Sequence, residues 1–203
     1  MTPAVTYIVS AYDRPQALRC CLASIQLQID DDFECVVADN GLQRYQGEHA
    51  RIVAELRDHR FSHFNTAYHS TTPAWDCYWS AEWIMKHGGT TGEFICLPSD
   101  DSYYVPLFQE AMLAEARACE LSLVYCDMLY DRRGHGKYHV KAVAPRVCEI
   151  DKTCFMLKRN SWIGFPNKPQ QPISSNCDGE MIVELVSRGI KHGRVAEPLV
   201  VHN

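Results

Sequence analysis

Glu93-Phe94-Ile95-Cys96-Leu97 runs directly into Pro98-Ser99-Asp100-Asp101-Ser102. The first five residues carry a short unbroken apolar run, the pattern of a strand buried on both faces. The next five are turn formers that include two adjacent carboxylates. Such a pair repels unless a cation lies beside it, and a hard divalent cation accepts these oxygens and also binds a diphosphate. The same residues serve equally as turn and N-cap residues ahead of a helix.

Outward from this stretch, strand-like and helix-like segments alternate. Val5 to Val9 is an apolar strand followed by Asp13-Arg14-Pro15, where Asp13 is the expected N-cap. Leu18, Cys21, Leu22 and Ile25 recur at helical spacing. Cys35 to Ala38 is a second strand, ended by Asp39-Asn40-Gly41. A helix over Glu48 to His59, a short strand over Phe61 to Phe64 and a helix over Trp75 to Lys86 follow. Trp75, Trp79 and Trp83 share one face of that last helix. After Ser102, Val105 to Arg117 reads as a helix, Leu121 to Cys126 as a strand, Lys152 to Leu157 as a strand, Gly179 to Arg188 as a helix and Val195 to His202 as an extended segment. Asp131 to Lys137 and Lys168 to Pro172 read as loops. The alternation predicts an α/β fold: one Rossmann-like domain over residues 1–203, its mostly parallel central sheet covered by helices on both faces. The chain divides at about residue 101 into two halves.

Composition narrows the function. The 203 residues are 46% hydrophobic and 22% charged, with a formal net charge of −5, which excludes general disorder. No block of like charge suggests nucleic acid or an anionic membrane surface. The ten cysteines include no C-x-x-C pair, so a structural zinc site is not expected. Cys21, Cys35, Cys96 and Cys126 lie in apolar runs, where cysteine packs as a small hydrophobe. Reduced, buried thiols and a cytoplasmic location are the expectation. No apolar run approaches the roughly 20 residues that span a bilayer, and the N-terminus lacks the pattern of a signal peptide.

In an open α/β sheet, ligands bind beyond the carboxyl ends of the strands. Three polar loops qualify: Ser10 to Arg14, Asp39 to Gly41, and Ser99 to Ser102. Four segments in order resemble family 2 glycosyltransferases of the GT-A type fold. V-T-Y-I-V-S-A-Y-D-R-P at the start is similar to the family's I-I-P-T-Y-N-R-P, and C-V-V-A-D-N-G to its V-V-D-N-G-S. G-E-F-I-C-L-P-S-D-D is similar to the strand leading into the D-x-D metal motif, with Pro98-Ser99 in place of that motif's first acid. N-C-D-G-E-M-I-V-E-L-V-S-R-G resembles the acidic motif on the acceptor side.

The resemblance implies a glycosyltransferase that moves a sugar from a nucleotide-diphosphate donor to an acceptor hydroxyl, with inversion. It implies manganese or magnesium as cofactor, a glycan, lipid-linked or protein acceptor, a nucleotide-binding half up to about residue 101 and an acceptor-side half from about 102. Ser10, Tyr12 and Arg14 would line the nucleotide and Asp39 would contact the base or ribose. Asp100 and Asp101 would face the diphosphate, with Asp101 the direct metal ligand and His202 an added one. Asp178 or Glu180 would be the base; as plain chemistry, both are also helix N-terminal acids suited to the dipole. The family's S-x-A-R-N-x-G segment has no counterpart in Pro73 to Lys86. No Q-x-x-R-W motif follows the acidic motif, which counts against a processive enzyme. The alternatives are a non-catalytic sugar-nucleotide or glycan-binding protein, or a sugar nucleotidyltransferase. The latter needs a glycine- and lysine-bearing phosphate loop that Ser10 to Gln16 lacks.

Overall fold

The structure is a computed structural model that describes residues 2–41, 43–66, 73–131, 136, 138–166 and 176–203. Its strands are β1 (Val5–Ala11), β2 (Phe33–Asp39), β3 (Phe61–Asn65), β4 (Phe94–Cys96), β5 (Ser102–Tyr104), β6 (Leu123–Tyr130), β7 (His139–Lys141), β8 (Phe155–Lys158) and β9 (His192–His202). Its helices are α1 (Pro15–Gln26), α2 (Gln43–Glu55), α3 (Pro73–His87), α4 (Phe108–Ala118) and α5 (Cys177–Ser187).

The strands form one sheet in the order β3-β2-β1-β4-β8-β6-β9-β5, with β7 paired to β6. The β3-β2-β1-β4 half is parallel throughout. Beyond it, β8 runs antiparallel to both β4 and β6, β9 runs parallel to β6, and β5 runs antiparallel to β9. Six strands (β1, β2, β3, β4, β6, β9) therefore point one way. Every residue of β1 is buried, as a strand covered on both faces requires. Helix α3 packs on β1 and β2, α4 on β6 and β9, and α1 on β5 and α2. In α1 the predicted stripe of Leu18, Cys21, Leu22 and Ile25 is buried.

Several boundaries differ from the sequence reading, each for a local reason. Asp13 does not cap α1: Arg14 holds the N-cap position without a side-chain cap bond, and Pro15 opens the helix. Over Lys152–Cys154 the expected strand is a 3₁₀ turn, because the Asp151 side chain accepts from the Thr153 amide at 2.9 Å; strand β8 begins after it. Helix α2 starts five residues before the expected Glu48 and ends at Glu55, and Arg57 follows with a left-handed φ of 52°. Strands β5 and β7 were not read at all. The loop expected over 168–172 lies outside the described residues, as do 132–135 and 137 of the loop expected over 131–137. Trp79 and Trp83 pack against the core; the side chain of Trp75 lies outside the described residues. Cys21, Cys35, Cys96 and Cys126 are buried as expected, whereas Cys20, Cys119 and Cys148 are exposed. Among the described residues, no helix is long and apolar enough to cross a membrane.

Candidate functional site

Three loops meet beyond the carboxyl ends of β1, β2 and β4. The Ser10 amide donates to Pro98 O at 3.0 Å and the Asp100 amide to Ser10 O at 3.1 Å, which sews the β4 loop to the end of β1. The Asn40 amide donates to Ala11 O at 3.1 Å and brings in the β2 loop. Gly41 closes the join: a Cβ there would lie 2.2 Å from Tyr12 O and 2.9 Å from Asp39 Oδ1. Only a residue without a side chain allows that approach.

The loops enclose a cavity of about 400 Å³ lined by Ser10, Tyr12, Asp13, Arg14, Asn40, Cys77, Ser99 and Asp100. Ser10, Tyr12, Arg14 and Asp100 are thus brought together as the sequence suggested. Arg14 reaches across to both carboxylates: one guanidinium nitrogen lies 2.5 Å from Asp100 Oδ1 and the other bonds Asp101 Oδ2. Asp100 Oδ2 also accepts the Tyr12 amide at 3.2 Å. Burial pushes the Asp100 carboxyl above its ordinary range; Arg14 pulls it back and Asp101 pushes it further up.

Asp101 has one buried oxygen, Oδ1, with no hydrogen-bond partner among the described residues. It faces His202, whose Nδ1 lies 3.7 Å away. Strand β5 explains the approach, since Ser102 pairs with His202 across the sheet and its hydroxyl lies 3.2 Å from the same nitrogen. Tyr130 stacks on the imidazole with centroids 5.7 Å apart. Among the described residues, no group of three or more His, Cys, Asp or Glu converges on one point as a ready metal cage.

Asp39, by contrast, is 0% exposed. Its Oδ1 accepts the Gly41 amide at 2.8 Å and lies 3.1 Å from His49 Nδ1, off the line of a good hydrogen bond; its Oδ2 lies 2.8 Å from His63 Nε2. Burial alone would raise this carboxyl, but the contacts from His49, His63 and Gly41 outweigh it and hold it at about 2. Its neighbour Asn40 is 5% exposed, yet neither side-chain atom has a hydrogen-bond partner among the described residues. An unmade bond to a buried amide group costs about 1–3 kcal/mol.

A second cavity, about 730 Å³, is lined by Tyr130, His139, Val140, Lys141, Cys148, Ile150, Asp151, Asn176 and Asp178. Asp178 is anchored at the start of α5, with Oδ2 accepting the Lys152 amide and Oδ1 the Gly179 amide, each at 2.9 Å. Burial and then the nearby Asp151 charge raise its carboxyl to about 6, against the two amides and the Lys152 charge. Glu180 lines a different cavity with Ile163, Phe165 and Met181, so the two acids at the head of α5 face apart. His202 spans the two regions, its Nε2 lying 3.9 Å from Asp151 Oδ2.

The chain has the fold of glycosyltransferases. It superposes on a mannosyltransferase from Pyrobaculum calidifontis, solved with GDP-Man and Mn2+, with a TM-score of 0.74 at 14% identity. It superposes on residues 1–349 of S. aureus TarS with a TM-score of 0.71 at 15% identity, and that domain was also solved with UDP-GlcNAc. These matches cover 100% of this chain but only 57% of the mannosyltransferase and 60% of the TarS domain. No protein-family model and no curated protein sequence matches the chain.

Asp151, Lys152, His49 and His63 were missed by the sequence reading, and Asn40 was read only as part of its loop. The Asp-Asn-Gly signature marks a turn whichever way its side chains point. Asp151 and Lys152 sit in no recognisable motif. The histidines lie on α2 and β3 and meet Asp39 only through the fold.

Proposed function

We propose that the protein transfers a sugar from a nucleoside-diphosphate donor to an acceptor hydroxyl, with inversion and without processive polymerisation. One observation carries the reading: at the carboxyl ends of the strands, one cavity is lined by Asp100 and another by Asp151 and Asp178, and His202 stands between Asp101, the neighbour of Asp100, and Asp151. The neighbours of the same fold solved with GDP-Man and with UDP-GlcNAc support it.

The residues suit a divalent cation. Asp101 Oδ1 is a buried oxygen without a hydrogen-bond partner among the described residues, and it faces an imidazole nitrogen 3.7 Å away. Two donors about 2.1 Å from one cation stand about 3–4 Å apart. Asp101 and His202 would hold the ion and Asp100 would support it, the rest of the coordination falling to diphosphate oxygens. When bound, the cation would stabilise negative charge developing on the departing diphosphate. Arg14 is placed to exchange its carboxylate contacts for diphosphate oxygens, which its fork also fits. Ser10 and Tyr12 would line the nucleotide. In the second cavity, Asp178 would take the proton of the acceptor hydroxyl as the new bond forms. A carboxyl raised to about 6 is a better base near neutral pH than an unperturbed aspartate. Asp151 and Lys152 set that value from opposite sides.

A non-catalytic binder is the competing reading. It is favoured by the Arg14 bridge across both acids and by the two backbone amides held by Asp178. A panel of nucleoside diphosphates with manganese, read by melting temperature, tests donor binding. Slow hydrolysis of the matching nucleotide sugar separates enzyme from binder. No thermal shift with any nucleotide would sink both.

A further inference from the structure

We propose that Asn40 selects the donor's base by pairing with its hydrogen-bonding edge, while Asp39 beside it belongs to the scaffold. The inference rests on the donor-binding reading above and adds to it the residue that sets base preference.

Three observations support it. Asn40 is 5% exposed, lines the 400 Å³ cavity, and has both its amide oxygen and its amide nitrogen unpartnered among the described residues. A buried, unpartnered amide on a residue that lines a cavity is open to a group that enters it. Asp39, the residue the sequence offered for this task, is already engaged. Gly41 and His49 meet one oxygen and His63 the other, and no part of it reaches the surface. Elsewhere in the lining, Arg14 and Asp100 hold one another, and the Ser10 hydroxyl donates to Cys77 O at 3.1 Å.

The chemistry then narrows the ligand group. A primary amide presents an acceptor beside a donor, which matches an edge carrying a donor beside an acceptor. Every nucleobase has such an edge, and amide side chains read bases this way in other settings. Phosphate oxygens only accept, and the cation and Arg14 meet them better. The β1 and β2 loops, sewn together by the Asn40 amide and Gly41, hold the side chain in a fixed place from which an edge can be read.

The test is calorimetric titration of the wild type, Asn40→Ala and Asn40→Asp with UDP, GDP, ADP and CDP in the presence of manganese. The wild type should favour one nucleotide over the other three by about tenfold or more. Asn40→Ala should weaken that nucleotide by about 5–150-fold, the range of one lost bidentate pair. The other three should change by less than about threefold, so that the preference collapses. Asn40→Asp, which keeps the shape but loses the donor, should also lose the preference. Melting without nucleotide should be no lower for Asn40→Ala, since it removes unpaired polar atoms. Equal weakening of all four nucleotides, or an intact preference in both variants, would overturn the assignment while leaving the donor site standing. A wild type that binds none of the four would overturn the donor site itself, and this inference with it.

Discussion

His202 holds Nε2 at 3.9 Å from Asp151 Oδ2 and Nδ1 at 3.7 Å from Asp101 Oδ1, so a residue on the last strand links the Asp100–Asp101 pair to the cavity that contains Asp178. The coupling depends on β5, the three-residue strand that lays Ser102 against His202. It sets one imidazole between two carboxylates, Nδ1 toward Asp101 and Nε2 toward Asp151.

Asp101→Asn and His202→Ala should each weaken manganese binding, in the presence of nucleoside diphosphate, by about tenfold or more, since the first removes the charge of one ligand of the proposed site and the second removes a ligand. The melting temperature without metal should not fall for Asp101→Asn. Asp100 and Asp101 repel one another across a single guanidinium, and one Asp101 oxygen has no hydrogen-bond partner among the described residues, so neutralising it relieves the pair. Titration of manganese followed by its paramagnetic resonance signal reads the first effect. A folded Asp101→Asn with undiminished manganese affinity would remove Asp101 from the metal site.

Asp178→Asn should lower turnover by about 10²–10⁴-fold with donor affinity nearly unchanged, because only proton removal from the acceptor is lost. Glu180→Gln faces another cavity and should do much less. The wild-type rate should rise with pH through about 6, where Asp178 ionises. Stability should run the other way. A carboxyl whose folded value stands above 3.8 favours the protonated fold, a contribution complete below pH 3.8 and lost as pH rises through 6. Thermal melts of Asp178→Asn should lack that decline.

Asp39→Ala should destabilise the protein by about 2–4 kcal/mol, because it strips a buried carboxylate from His49 and His63. The folded carboxyl lies below its unfolded value of 3.8, so its contribution is present above pH 3.8 and is lost as pH falls toward 2. Urea unfolding at pH 7 and pH 3 measures both. Gly41→Ala should also destabilise, since its Cβ would strike the Tyr12 carbonyl, and it should weaken nucleotide binding by displacing the loop that carries Arg14.

The parallel half of the sheet was legible where short, mainly apolar runs are followed by helices with a clear buried stripe, as in β1 and α1. The placement of Ser10, Tyr12, Arg14, Asp100 and Asp101 followed from the same pattern, since each lies at or within a few residues of a strand end. Strand β5 was not legible: Ser102–Tyr104 is three residues long and its partner lies about a hundred residues away in β9. The cavity that holds Asp178 was half read. Asp178 carries a helix-start signal, whereas Asp151 acts through a 3₁₀ turn that no periodicity announces. Burial of Asp39 beneath two histidines was also beyond the pattern, because His49 and His63 come from separate elements.

Asp151 and Lys152 should move the pH profile of turnover in opposite directions. Both sit beside Asp178: the Asp151 charge raises its carboxyl, and the Lys152 charge lowers it. The Lys152 ammonium is buried and donates to Leu97 O at 3.2 Å, between the β4 loop and the cavity that holds Asp178. Asp151→Asn keeps the shape that bonds Thr153 but removes the repulsion, so the acid limb of the rate profile should shift to lower pH. Lys152→Met keeps the length and the backbone amide that bonds Asp178 but removes the attraction, so the limb should shift to higher pH. A merely structural role for either residue would lower the rate at every pH and leave the limb in place. Should both variants shift the limb the same way, or not at all, the titrating base is not Asp178, and the acceptor proton leaves by another group.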